Sequence, residues 1–352
     1  MMSEKMSHGV DKLRPTLSRR KPVSITREAL VETGPLPEVG GRLPLMMQPA
    51  VEGLDPITWA LGSREAIGAL LSKHGGILFR NFKITSPSVF EQFVVACSAE
   101  LLQYKERSSP RTQVSQHLYT STDYPPTQSI FLHNENSYQH AWPLKLFFYC
   151  ETAARRGGET PIADCRRVFE RISPVVRRRF AEKGWMLVRN FGEGLSLSWQ
   201  SVFQTTDKAV VEDYCRRAGI ELEWCGERLR TRQVRRAITT HPKTGEEVWF
   251  NHATFFHVST LDPEMREGLL AGLSEEELPN NTFYGDGSPI EPAVLEELRE
   301  AYRRETVSFR WCEGDVLMLD NMLVAHARAP YEGTRRVLVA MAEPYSPVAV
   351  KL

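Results

Sequence analysis

Short apolar runs bounded by turn residues alternate along the chain with stretches whose apolar positions recur every third or fourth residue. The first pattern is that of buried strands, the second that of amphipathic helices. A helix is predicted from Ser63 to about Lys73, with Gly75 as its stop, followed by a strand in GGILFRNF (75–82). Ser86-Pro87 combines an N-cap with a proline at the first helical position, and Val89, Phe90, Phe93, Val94 and Cys97 then share one face. Strands are predicted at about 129–135 and 144–151, and at Glu159–Asp164 after the turn Gly157-Gly158. Ser173-Pro174 opens a helix that stops near Gly184, and Trp185–Phe191 reads as a strand leading into a less regular region. Thr206-Asp207 opens a helix to about Arg217, HPKTG (241–245) is a hairpin turn before a strand at Glu247–Asn251, and Asp262-Pro263 and Glu291-Pro292 each start a helix. The last third returns to strands at Thr306–Trp311, Asp315–Leu319 and Arg335–Glu343.

The early and late strands have no partners unless they pair with each other. That predicts one β core with helices inserted into it or packed outside it, an α+β chain with a mainly β centre. The expected division is an N-terminal arm over residues 1–40, partly extended, and a single domain over 41–352 with an insert at about 165–305.

Charge and composition remove several functions. The 352 residues carry 44 basic and 44 acidic side chains, so no basic face marks a nucleic-acid partner. No apolar run approaches the ~18 residues of a membrane span, and the N-terminus lacks the apolar core of a secretory signal, so a cytoplasmic location is expected. The six cysteines form no CxxC pair, which argues against a zinc framework or a disulfide scaffold.

Chemistry enters in FLHNENSYQH (131–140). In an extended strand His133 and Glu135 share one side and Asn134 the other. A carboxylate in a mostly apolar core is costly unless paired or bound to metal, so the two are candidate ligands of one ion. Two histidines and a carboxylate on one face form the donor set of non-haem Fe(II) oxygenases. His326, just past VLMLDN (316–321), is the first candidate for the third ligand. Ten residues on, Arg336 stands in the apolar strand RRVLVAMAE (335–343), where a guanidinium needs an anion such as a co-substrate carboxylate.

These motifs resemble the Fe(II)/2-oxoglutarate dioxygenases of the taurine dioxygenase family, in the clavaminate synthase-like superfamily. HNE (133–135), His326 and Arg336 match the family's HxD/E pair, distal histidine and arginine; GGETPIAD (157–164) places Thr160 where the family contacts 2-oxoglutarate. GDVLMLDN (314–321), HGGILFRNF (74–82) and HPKTG are similar to further family segments, and the likeness spans about residues 60–345. The resemblance implies a double-stranded β-helix (jelly roll, cupin-like) with flanking helices, Fe(II) on His133, Glu135 and His326, and 2-oxoglutarate held through Arg336 and Thr160. It further implies O2 as the other co-substrate, release of succinate and CO2, and oxidation of an unactivated C–H. Two departures stand out. The carboxylate is Glu rather than the commoner Asp, and Ala340 replaces a second basic residue that some members carry four positions past the arginine. Glu135 also fills the position that halogenases of this superfamily leave open for chloride, which favours oxygen insertion or a related oxidation over halogenation.

The run from His133 to Val168, with the N-terminal RRKPVS (19–24) and LMMQPAVEGLD (45–55), is most similar to syringomycin-type aspartyl hydroxylases. That implies an amino-acid-like substrate, free or tethered to a peptidyl carrier protein, in secondary metabolism. The same iron site also suits desaturation, cyclisation or catabolic oxidation of a small acid, and a β-barrel that binds without catalysis is the reading from another class. Asn134, Ser137 and Asn251 are the candidate substrate contacts, the first two by lining the pocket mouth; Asn251 is equally readable as a cap on its strand. The runs Arg155-Arg156, Arg166-Arg167 and Arg177–Arg179 are either a dock for an acidic carrier or ordinary solvated faces. Oligomeric state is not readable from the sequence.

Overall fold

The computed structural model describes residues 27–347 apart from 42, 99, 103–111, 122–123 and 193–195. The arm expected over 1–40 lies outside the described residues as far as 26. In its described part, Val31–Pro35 is an extended strand paired antiparallel with Leu45–Pro49 at the edge of the main sheet.

Seven strands make that sheet, in the order Val31–Pro35, Leu45–Pro49, Gly76–Phe79, Val316–Asp320, Trp142–Thr152, Arg336–Tyr345 and Leu118–Thr120. The early strand Gly76–Phe79 and the late strand Val316–Asp320 do pair, antiparallel. A smaller sheet of Thr306–Val307, Ile162–Asp164, Val324–Arg328 and Ile130–His133 packs against it. The two sheets form the double-stranded β-helix.

The central strands are buried on both faces, so they read as continuous apolar runs rather than alternating ones. Alternation survives in what each face touches. Ile77, Phe79, Phe147, Met318 and Leu338 pack under the helices Pro56–His74 and Pro87–Cys97. Leu78, Leu146, Phe148, Leu317, Val337 and Val339 face the smaller sheet. The first of those helices starts about two turns before Ser63: Asp55 caps it by accepting the Thr58 N–H at 2.7 Å, and Pro56 is its first residue. Its stop is Gly75, at φ +79°, where a Cβ would stand 2.6 Å from Val324 Cγ2.

Between Asp164 and Thr306 the chain leaves the two core sheets. Here Trp185–Phe191 pairs with Arg228–Arg235 and Asn280–Tyr284, and Glu221–Cys225 completes a four-stranded sheet with its own apolar cluster around Trp199, Val202 and Val211. Among the described residues no helix is long and apolar enough to cross a membrane.

Candidate metal centre

His326 lies in the strand Val324–Arg328 and is the cross-strand partner of His133 at the end of Ile130–His133. Their ring centroids are 4.4 Å apart. Glu135 Oε2 stands 3.8 Å from His326 Nε2, and donor atoms of the three residues all fall within 4.8 Å of one another. His133 Nδ1 donates to the Phe131 carbonyl at 2.9 Å, which leaves Nε2 as the acceptor of that ring. A carboxylate only 3% exposed beside two imidazoles is the donor set that suits Fe(II).

Glu135 reaches this position by a different route from the one strand alternation predicts. The strand ends at His133, and the chain turns through Asn136, at φ +58°. The Asn321 side chain holds the turn in place. Its Oδ1 accepts the Glu135 N–H at 2.7 Å, while Nδ2 donates to the carbonyls of Glu135 (2.8 Å) and Pro143 (2.9 Å).

A cleft beside the two histidines is lined by Ser121, Phe148, Thr160, Arg328, Arg335 and Val339, among others. Thr160 is 2% exposed, and its hydroxyl accepts from Trp311 Nε1 at 3.2 Å. The arginine of the cleft is not the one expected. Arg336 points away, is about half exposed, and pairs with Glu151 at 2.9 Å. Arg335 turns inward, donating to the Gly158 carbonyl at 2.8 Å and the Ser121 hydroxyl at 3.2 Å. The reason is strand parity: Val337 and Val339 face the smaller sheet whereas Leu338 faces the helices, so Arg335 falls on the inward side, and the register shift beside Arg336 skips Glu151 on the partner strand. The turn at Gly157-Gly158 makes the room, because a Cβ on Gly158 would meet Arg335 Cδ at 2.9 Å. Burial, and then the neighbouring charge of Arg328, push the Arg335 pKa down to about 10. A site with this strain favours an anionic ligand. Arg328 itself is 5% exposed and binds the carbonyls of Tyr124, Pro125 and Gln128, tying that loop to the strand of His326.

The expected substrate contacts are placed elsewhere. Asn134 is fully buried, its amide donating to the Asn321 carbonyl at 2.7 Å and to Cys165 Sγ at 3.3 Å. Asn251 donates to the Ala237 carbonyl and accepts the Ala253 N–H, which fixes the start of a buried loop. Ser137 is 4% exposed and bonded to His252 Nδ1 at 2.5 Å. The three side chains are thus committed to local structure. Phe255, from the same loop, carried no signal along the chain; its ring lies 4.5 Å from that of His133 and is only partly buried.

Burial, reinforced by His133, holds the His252 imidazole well below the usual histidine range. His257 accepts the hydroxyl and backbone N–H of Ser259 at Nδ1, and burial followed by the charge of Arg299 lowers its pKa to about 4. The folded imidazole therefore stays neutral where the unfolded one is already protonated. Its effect on stability is nil above about pH 6.5 and grows as pH falls from there to about 4, reaching roughly 3 kcal/mol of destabilisation. Urea unfolding at about pH 7 and about pH 4.5 is expected to show this loss, and His257→Gln should lose less between the two.

The family described as taurine catabolism dioxygenase TauD, TfdA matches residues 42–342. The chain is 42% identical over 288 residues to the dapdiamide synthesis protein DdaC of Enterobacter agglomerans, covering 82% of this chain and 88% of that one. It is 31% identical over 286 residues to a clavaminate synthase-like protein of Arabidopsis thaliana, covering 78% and 83%. Among solved structures, PvcB of Pseudomonas aeruginosa shares the fold with a TM-score of 0.55 at 12% identity, over 92% of this chain and 94% of that one. A taurine dioxygenase from Burkholderia xenovorans does so with a TM-score of 0.51 at 16% identity, over 90% and 92%.

Proposed function

Since the chain belongs to the TauD/TfdA dioxygenase family, we propose that this Fe(II)/2-oxoglutarate-dependent enzyme hydroxylates an unactivated C–H of an amino acid or amino-acid-derived substrate in a biosynthetic pathway. The observation that carries the reading is the convergence of His133, Glu135 and His326 beside a cleft that also holds Thr160 and Arg335. In it, the three side chains hold Fe(II), and Arg335, not Arg336, takes the distal carboxylate of 2-oxoglutarate together with the Thr160 hydroxyl. Bound there, the iron and 2-oxoglutarate supply the activation of O2, with succinate and CO2 as co-products. The chain's own part is to bind, orient and exclude water. Phe148 and Val339 wall the cleft, and Arg335 sets the direction of the co-substrate.

The name of the DdaC relative supports a place in biosynthesis, and the segment from His133 to Val168 supports an amino-acid-like substrate. The carrier-bound form of the substrate belongs to the same proposal. Of the basic runs, Arg155 and Arg156 are well exposed though paired with Glu332, whereas Arg166 is largely buried against Asp164. The test is turnover, with Fe(II), 2-oxoglutarate and O2, of free L-amino acids against the same aminoacyl groups on a carrier protein. A gain of one oxygen in product mass, matched by succinate, is the expected result. Loss of two hydrogens instead would turn the reading to desaturation or cyclisation, and a preference for free amino acids would remove the carrier.

A further inference from the structure

The HPKTG turn reaches the metal centre through two intermediate residues. His241, 1% exposed, donates from Nε2 to Asp320 Oδ2 at 3.0 Å. Its Nδ1 accepts the backbone N–H groups of Thr244 (3.1 Å) and Lys243 (3.3 Å), so the turn fixes the ring in the tautomer that donates to Asp320. The other oxygen of Asp320 accepts the N–H groups of Met322 (3.0 Å) and Leu323 (3.2 Å). That carboxylate therefore shapes the turn between Val316–Asp320 and Val324–Arg328, the strand of His326. The next residue, Asn321, is fully buried and grips the other arm of the centre, with its side chain on both sides of Glu135 and its carbonyl on Asn134.

We infer that His241 is a positioning residue for the metal centre, locking an Asp320-Asn321 unit that sets the strand of His326 and the backbone of Glu135 together. The insert thereby takes part in the iron site without supplying a ligand. The chemistry of the residues supports this. A buried carboxylate that accepts three N–H groups has one low-energy orientation, and a buried amide with every group bonded has no alternative rotamer of equal energy. Removing any member leaves a buried polar group unmatched at a point one or two bonds from a ligand-bearing segment. Ligand sets tolerate displacements of only about 0.5 Å.

The inference rests on the proposed metal role of His133, Glu135 and His326. Its test is anaerobic titration of the full-length protein with Fe(II) at saturating 2-oxoglutarate, followed by the visible band of the ternary complex, with the melting temperature of the metal-free protein measured alongside. Asn321→Asp puts an oxygen against the Glu135 and Pro143 carbonyls and is expected to weaken Fe(II) binding about 10- to 100-fold, the usual cost of losing an outer partner. His241→Leu should weaken it in the same direction. His241→Gln, which keeps an N–H for Asp320, should restore most of the affinity. A merely structural role would lower the melting temperature of these variants and leave Fe(II) affinity, measured well below it, unchanged; that result overturns the inference and spares the metal reading. If Asn321→Asp does not fold, the His241 pair decides alone. Absence of the band in the wild type overturns both.

Discussion

Replacing His326 with alanine is expected to abolish the visible band that Fe(II) and 2-oxoglutarate form in the wild type without oxygen, and all coupled turnover with it. The variant keeps His133 and Glu135, but two donors do not hold a divalent first-row metal against water as three on one face do. Loss of an outer partner alone typically costs 10- to 100-fold in affinity, so loss of a ligand should weaken Fe(II) binding by more than about 100-fold. Folding is expected to survive. Val324 and Ala325 keep the strand in register with Ile162–Asp164, and the fully buried Leu323 and Val324 keep its packing. Circular dichroism separates the two effects. A folded His326→Ala protein that still gives the wild-type band at stoichiometric Fe(II) would show that the cluster is not the iron site.

The three ligand candidates were legible because their chemistry is out of place in an apolar strand, and because chemically distinctive residues retain their meaning when element boundaries move. The local geometry was less legible. Glu135 is aimed by the turn at Asn136 and by a residue 186 positions away, Asn321, which nothing near the HNE motif announces. In the sheet of the insert Trp185–Phe191 was legible, but its neighbour was hidden for a related reason. Arg228–Arg235 does alternate, but its inward face includes Thr231 and Gln233, both buried, so the hydrophobic pattern of a strand is absent. The start of the first helix was placed too late although Asp55-Pro56 carries the same signature that correctly marked Ser86-Pro87 and Asp262-Pro263. Ser63 is simply an interior residue of that helix. What the sequence did disclose was the closure of the core. The apolar strand at Gly76 and the one at Val316 each required a partner, and they are hydrogen-bonded neighbours.

The two adjacent arginines give the sharpest contrast. Arg335→Ala is expected to raise the KM for 2-oxoglutarate by about two to three and a half orders of magnitude, with the iron site intact. Removing one partner of a buried ion pair costs about 3–5 kcal/mol, and each 1.4 kcal/mol is about tenfold. Arg336→Ala should change that KM less than about fivefold, since the pair it forms with Glu151 is about half exposed on the arginine side and such pairs contribute about 0–1 kcal/mol. Counting along the chain cannot separate the two, because nine and ten residues past His326 are equally good spacings. The structure separates them by what surrounds each guanidinium. Arg335 meets the Gly158 carbonyl, the Ser121 hydroxyl and the positive charge of Arg328 inside the cleft. Arg328 is the poorer anion partner, since its two terminal nitrogens already bind three loop carbonyls. An anion entering the cleft would offset both the burial of Arg335 and the repulsion from Arg328, and that part of the co-substrate's binding free energy should disappear in Arg335→Ala. Arg335→Lys keeps the charge without the fork that spans Gly158 and Ser121, and its KM should fall between wild type and alanine. An Arg336→Ala effect larger than that of Arg335→Ala, measured as succinate formed against 2-oxoglutarate concentration, would reverse the assignment.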